Sequence, residues 1–341
     1  MGVEKEHNTP AHIPRGTAPV NFSPHLRTIL VDYSSILILA LVTVGIWTAP
    51  VYYADNRLVP LWLSASSGSF HNSKYFLRPP IEMEYPWRQE PLPSWSCGFV
   101  VVCVPLMVVV AFQIRTRNLW EFHTGIVGVL KAAVANTFVV MILKQFIGGF
   151  RPNFIEVCQP DMSLAFKEIG KERYWLNVTA CTGVPYEIKK AMQTFPSGHA
   201  ANSFAGATFI SLYLNAKLKV FADHASSMSA LLVTIAPLIG ATLVSGSMYI
   251  SYQHHAVDIV FGIIIGLSLG ILTYRSRYTA VFDFRYNHIP LPPHALNAGI
   301  SNTLLYATKA VESRGSEEDI ANGDDVPVGG VVVQEWRGEQ K

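Results

Sequence analysis

Charge is scarce in this 341-residue chain, at 15% Asp, Glu, Lys and Arg against roughly a quarter in ordinary soluble domains. The charges nearly cancel, leaving +2, so there is no basic footprint for a nucleic-acid partner. Cysteine is limited to four residues, with no CxxC or Cys/His spacing that would hold zinc. No internal repeat is visible. Residues 1–27 are polar and Pro-containing, and no cleavable signal peptide is expected, because the first apolar run starts late and is too long for one. That run is expected to serve as an uncleaved anchor.

What is present is apolar surface, and it is clustered. Half of the residues are hydrophobic. A helix needs about 20 apolar residues to cross the hydrocarbon core. Six segments approach that length, at roughly 31–53, 95–114, 124–147, 198–216, 229–248 and 256–274. Lipid offers no partner for open backbone, so each is expected to be helical. The fold class expected is therefore all-α, an integral membrane bundle of six transmembrane helices. The domain reading is a cytoplasmic N-terminal segment 1–27, a six-span domain 28–277 and a cytoplasmic, largely disordered tail 278–341 ending near the acidic stretch Ser316-Glu317-Glu318-Asp319. Lys131, inside the third run, is expected to snorkel to an interface. Cys97 and Cys103, inside the second, are expected to pack.

Basic residues set the orientation. Lys5, Arg15 and Arg27, then Arg115 and Arg117, then Lys217 and Lys219, then Arg275 and Arg277 all fall on one side of a six-span bundle. That side is read as cytoplasmic, with both termini inside. Loops 54–94, 148–197 and 249–255 then face the lumen or the exterior. Loop 148–197 carries the sequon Asn177-Val178-Thr179 and the pair Cys158 and Cys181, which suit glycosylation and an oxidising compartment. The sequon Asn21-Phe22-Ser23 falls inside and should be silent.

Three polar clusters coincide on the non-cytoplasmic face. Lys144 and Arg151-Pro152 stand at the exit of the third helix; a spacing of seven turns a helix by about 700°, so both cations share a face if the helix persists. Pro196-Ser197-Gly198-His199 opens the fourth helix, where free N–H groups suit an anion and Gly198 permits close approach. His254 and Asp258 open the sixth at i, i+4, so the carboxylate can engage one imidazole nitrogen and free the other. Cations, a helix start, two histidines and an orienting carboxylate suit a phosphate dianion. One histidine can attack phosphorus while the other protonates the leaving alkoxide. No carboxylate cluster for a metal is apparent, so fixed cations are expected to do the electrostatic work, with no cofactor. Alone, Lys144 reads as an interfacial anchor, Pro196-Ser197-Gly198 as a helix cap and His255 as an interfacial histidine. Asp258 resists such a reading, because a lone carboxylate in an apolar span is costly.

These motifs resemble the type 2 phosphatidic acid phosphatase superfamily, the lipid phosphate phosphatases, over roughly residues 28–290. The family pattern K-x6-RP is met by Lys144 to Arg151-Pro152, and PSGH by Pro196 to His199. The third pattern, SR-x5-H-x3-D, is met by Ser247, His254 and Asp258, with Met248 in place of the arginine. Glu121, His123 and Tyr274-Arg275 resemble fungal members acting on phosphatidate and diacylglycerol pyrophosphate. The resemblance implies His254 as the nucleophile forming a phosphohistidine, Asp258 as its orienting group and His199 as the acid. It implies Lys144, Arg151, Ser197 and Gly198 as phosphate ligands, and no metal. The implied partner is a phospholipid in the bilayer, and a homo-oligomer is compatible with it. The implied place is an endomembrane (ER, Golgi or vacuole) or the plasma membrane. Met248 removes one expected phosphate contact, for which Lys189 and Lys190 are conceivable replacements. The alternative is a non-catalytic phospholipid-binding relative. A transporter fits less well, since the polar residues gather at helix ends rather than at the midplane.

Overall fold

A computed structural model of the chain describes residues 22–52, 54–65, 75–167 and 174–291. The expected disordered tail beyond residue 291, the N-terminal residues before 22 and Asn21 of the first sequon lie outside the described residues. The chain is mostly helical: α1 (Phe22–Thr48), α2 (Ser94–Thr116), α3 (Leu119–Phe146), α4 (Phe154–Cys158), α5 (Pro185–Ala191), α6 (Gly198–Leu218), α7 (Met228–Ile250) and α8 (Ala256–Arg275). Local chemistry sets several starts. Asn118 accepts from the backbone N–H of Trp120 at 3.0 Å to open α3, and Ser227 accepts from Ala230 at 3.2 Å to open α7. Arg117, in the left-handed region at φ 48°, closes α2.

Among the described residues, five helices, α1, α2, α3, α7 and α8, are long and apolar enough to cross a membrane. The remaining segment expected to span forms the 21-residue helix α6, which is more polar and is not among these five. It packs against α2, α3, α7 and α8, and most of its residues are buried, Ser203, Thr208, Ser211 and Asn215 among them. A helix that meets protein on all sides can carry such groups where a lipid-facing one cannot. Asn202 Oδ1 accepts from Asn136 Nδ2 at 2.7 Å and from the Thr137 hydroxyl at 3.0 Å, tying α6 to α3.

The packing of α6 on α8 is close because α8 presents glycines one turn apart. A Cβ on Gly262 would come within 2.6 Å of the Ser197 carbonyl, and one on Gly266 within 2.4 Å of that of Ala201. Small residues in this spacing let helix backbones touch. The contact brings the start of α8 against the start of α6.

The expectation of a purely helical chain needs correction. The connections read as loops carry a four-stranded antiparallel sheet, β2 (Tyr75–Arg78), β1 (Leu58–Ala65), β4 (Tyr174–Asn177) and β3 (Phe166–Lys167), in that spatial order. Val59 and Leu61 of β1 are buried, with Leu176 of β4, against Phe154, Met192 and the Cys158–Cys181 disulfide. This small core, to which α4 and α5 contribute, is separate from the packing of the long helices. It escapes sequence reading because β2, β3 and β4 are short, β1 contains Pro60, and the β1–β4 pairing joins residues more than 100 apart. Arg57 fastens the sheet to the bundle, donating to Met192 O at 3.0 Å and Ile147 O at 3.1 Å.

The far end of the bundle is closed by buried ion pairs. Lys131 reaches a carboxylate on another helix: its Nζ donates to Asp32 Oδ1 of α1 at 2.9 Å. Arg277 reaches the same carboxylate at 3.0 Å, and Glu121 pairs with Lys217. Charges in apolar spans persist when paired in this way. Residues just past α8 fold back here. Tyr278 is fully buried and stacks on Tyr274 at 4.5 Å between ring centroids, and Lys219 Nζ donates to Phe284 O.

Candidate active site

The site forms where α3 ends and α6 and α8 begin. α3 stops at Phe146, before Arg151, so a continuing helix does not align the two cations as the spacing suggested. Gly148 and Gly149 do it instead, at φ 56° and 120°, values that residues with a Cβ rarely adopt. A Cβ on Gly148 would also meet Met192 O at 2.5 Å. The turn lays residues 149–151 along 191–194: Gly149 N donates to Met192 O at 3.0 Å, Arg151 N to Ala191 O at 2.9 Å and Thr194 N to Gly149 O at 3.1 Å. Lys144 is thereby buried, with Nζ 2.6 Å from Gln193 O. Its Cε lies 3.6 Å from where a Cβ on Gly198 would be, so the ammonium stem crosses the start of α6.

Ser197 caps α6 and is fully buried, and its own N–H donates to Asp258 O at 2.9 Å. That bond links the second and third motifs directly. Asp258 lies in the first turn of α8, and its Oδ2 accepts from His255 N at 2.9 Å. His254 is buried, with Nδ1 3.7 Å from Asp258 Oδ2, beyond hydrogen-bond length. Thr194 fills the gap. Its hydroxyl donates to Asp258 Oδ2 at 2.6 Å and lies 3.3 Å from His254 Nδ1. With Nδ1 protonated, the relay runs from His254 through the Thr194 hydroxyl to Asp258, and the reactive lone pair falls on Nε2.

The electrostatics follow from burial. Desolvation pulls His254 down to about 3 against the opposing pull of Asp258, with Arg151 and Lys144 adding to the fall. The ring is therefore neutral at physiological pH, as a nucleophile requires. His255 moves up, because it hydrogen-bonds the Asp258 carboxylate and is only half-buried. Burial lowers Arg151, while Glu90 pushes it back.

Sequence reasoning missed Thr194, Gln253 and Glu90. Gln253 Oε1 accepts from Arg151 Nη1, and its Nε2 donates to Arg88 O at 2.6 Å. Glu90 contacts Arg151 Nη1 at 3.4 Å and Lys190 Nζ at 2.8 Å. His199 is buried, with Nε2 2.8 Å from Leu92 O. Thr194 and Gln253 sit two residues and one residue from motif positions, the only signal they offered. Glu90 had none, since it comes from the connection before α2. Lys189 does not enter the site: its Nζ lies 2.7 Å from Ala49 O at the end of α1. Met248 is fully buried and supplies no charge. Glu121 and His123, behind the fungal likeness, lie at the opposite end of α3.

The sequence is similar to known proteins. The chain is 31% identical over 202 residues to lipid phosphate phosphatase 2 of Arabidopsis thaliana, covering 59% of this chain and 67% of that one. The profile of the PAP2 superfamily matches residues 125–282, which hold all three motifs. The chain belongs to the PAP2 superfamily. Among other PAP2 relatives, it is 35% identical to lipid phosphate phosphatase 1 of the same plant over 58% of each chain. It is 27% identical to diacylglycerol pyrophosphate phosphatase 1 of Saccharomyces cerevisiae, over 57% of this chain and 64% of that one. The match thus spans little more than half the length of the first of these relatives. No solved structure matches the chain significantly. The PAP2 match begins after α2, so Glu90 and strands β1 and β2 lie outside it.

The Thr194 relay makes a specific prediction for this PAP2 site. Thr194→Val keeps the shape but removes the hydroxyl, leaving His254 Nδ1 and Asp258 Oδ2 without their link. The kcat for phosphate release should fall about 10–100-fold with KM little changed, and Thr194→Ser should recover most of it. Equal loss in Val and Ser variants would assign Thr194 to packing alone.

Proposed function

We propose that this protein is a metal-independent lipid phosphate phosphatase of six membrane spans, acting on phosphatidate-type phosphomonoesters at the non-cytoplasmic face. The observation that carries the reading is the convergence of Lys144, Arg151, Ser197, His254 and Asp258 at the ends of α3, α6 and α8. α6 is the sixth span in this reading, shielded from lipid by its neighbours. The basic loops and the Cys158–Cys181 disulfide support placing the site end outside the cytoplasm. The names of the plant and yeast relatives support the substrate class.

In the proposed mechanism, His254 Nε2 attacks phosphorus as the bond to the lipid oxygen breaks. His199 gives its proton to that oxygen, and the diacylglycerol leaves. Lys144, Arg151, the Ser197 hydroxyl and the N–H of Gly198 hold the phosphoryl oxygens. Water then attacks the phosphohistidine, with His199 taking its proton, and inorganic phosphate leaves with His254 restored. Met248 favours one second reading, a phospholipid-binding relative without turnover.

Phosphate release from phosphatidate, lysophosphatidate and diacylglycerol pyrophosphate, with and without EDTA, tests both. Release that persists in EDTA is expected. Activity lost in EDTA and restored by Mg²⁺ would overturn the metal-independent mechanism. Binding of phosphatidate without release would favour the second reading.

A further inference from the structure

Glu90 holds a position its own chemistry does not explain. It is a carboxylate on the connection between β2 and α2, yet its Oε1 sits between two cations, 3.4 Å from Arg151 Nη1 and 2.8 Å from Lys190 Nζ. Arg151 is more than nine-tenths buried, and its Nε has no hydrogen-bond partner. Burial alone would push the Glu90 carboxyl up. The bond from Lys190 and the charges of Arg151, Lys190 and His199 outweigh it and hold Glu90 below the usual carboxylate range. Neighbouring groups engage the site as well. Leu92 O takes His199 Nε2 at 2.8 Å, and Arg88 O takes Gln253 Nε2 at 2.6 Å. Three successive alternate residues thus occupy three polar side chains of the site. Beside them is a cavity of about 210 Å³ lined by Arg88, Glu90, Arg151, Lys190 and Gln253.

We infer that the Glu90 carboxylate marks the position of a substrate phosphate oxygen, and that Lys190 binds that phosphate together with Arg151. The inference rests on the phosphatase reading for its substrate. A carboxylate and a phosphate present the same charge-assisted acceptor to an ammonium and a guanidinium. A phosphate dianion carries more charge and more oxygens, so it displaces Glu90, and residues 88–92 withdraw from His199 and Gln253 as it enters. Lys190 thereby adds the positive charge that Met248 does not supply. Lys189, one residue away, is committed to the carbonyl end of α1, so the two adjacent lysines divide into a substrate ligand and a helix clamp.

The test uses full-length protein in detergent, with two readouts: phosphatidate kinetics and inorganic phosphate binding followed by thermal shift. Lys190→Met should raise KM and weaken phosphate binding about tenfold each, and Lys190→Arg should restore both. Glu90→Gln should tighten phosphate binding and lower KM severalfold, because the neutral amide competes poorly for the cations. Lys189→Met should leave KM and phosphate affinity unchanged. Unaltered KM and phosphate affinity in Lys190→Met would overturn the inference while leaving the phosphatase reading intact, as would weaker phosphate binding in Glu90→Gln. A wild type that releases no phosphate, but loses phosphate binding through Lys190→Met, would overturn the phosphatase reading and leave the anion site standing.

Discussion

His254→Ala is expected to abolish phosphate release, by about 10⁴–10⁶-fold in kcat, the scale seen when a covalent nucleophile is removed. The geometry gives this side chain no substitute. His254 is buried, its Nδ1 is committed toward Thr194 and Asp258, and desolvation keeps it neutral. Adjacent His255 cannot take over. It is partly exposed, and its hydrogen bond to the Asp258 carboxylate raises its pKa, which favours the protonated form over the free lone pair that a nucleophile needs. Its firmest tie to the site is a backbone bond, His255 N to Asp258 Oδ2 at 2.9 Å, which His255→Ala retains. His255→Ala should therefore keep activity within about tenfold. The decisive measurement is trapping of radiolabelled phosphate on the protein under alkaline quench, which preserves phosphohistidine. Wild type should label transiently, His254→Ala not at all, and His199→Ala should hold any label longer, since the proposed mechanism gives water activation to His199. Label that survives His254→Ala, or vanishes in His255→Ala, would assign the nucleophile elsewhere.

How much of this was legible beforehand varies from residue to residue. Five apolar helices announced themselves through length and hydropathy; α6 was read from its apolar run in the same way, though its buried polar residues set it apart from the five. The polar clusters were readable because each lies within one element or at its end. The i, i+4 spacing of His254 and Asp258 and the helix start at Ser197 are local facts. The turn at Gly148 and Gly149 was less readable. The spacing from Lys144 to Arg151 suggested a helical phase, whereas two positive-φ glycines bring the cations together. Thr194 shows a further limit. Its place between His254 and Asp258 depends on how the loop before α6 meets the start of α8, set by the Gly262 contact with Ser197. The sheet and Glu90 were the hardest to foresee. β1 pairs with β4 across more than 100 residues, and nothing near Glu90 in the chain marks it as a neighbour of Arg151. The partner of Lys131 was hidden for the same reason, because Asp32 sits on another helix.

Arg151→Ala is the second large effect, expected to lower kcat/KM about 10³-fold, the lower end of what a phosphate-binding arginine contributes in phosphoryl transfer. An arginine can bond two oxygens at once and oppose charge that grows on them in the transition state. Here the role is concentrated on Arg151. Met248 is apolar and fully buried where the family pattern places another arginine. Arg88 lies with its guanidinium 4.9 Å from the Tyr252 ring centroid, turned to that aromatic face. Arg151 itself is held ready: Gln253 accepts from Nη1, its backbone N–H is tied to Ala191 O at 2.9 Å, and Pro152 O accepts from Tyr85 N at 3.0 Å. The alanine variant removes the charge and leaves Glu90 with Lys190 alone, so the carboxylate is less firmly placed and phosphate meets one cation fewer. Arg151→Lys keeps the charge but not the fork. It should recover about tenfold of the loss, chiefly in KM, because an ammonium binds as a point charge. A thermal unfolding scan separates this from instability, since removing a buried charge whose partner Glu90 keeps Lys190 should lower the midpoint only modestly. A folded Arg151→Ala protein whose kcat/KM stays within tenfold of wild type would show that Lys144, Lys190 and the start of α6 hold the phosphate without it.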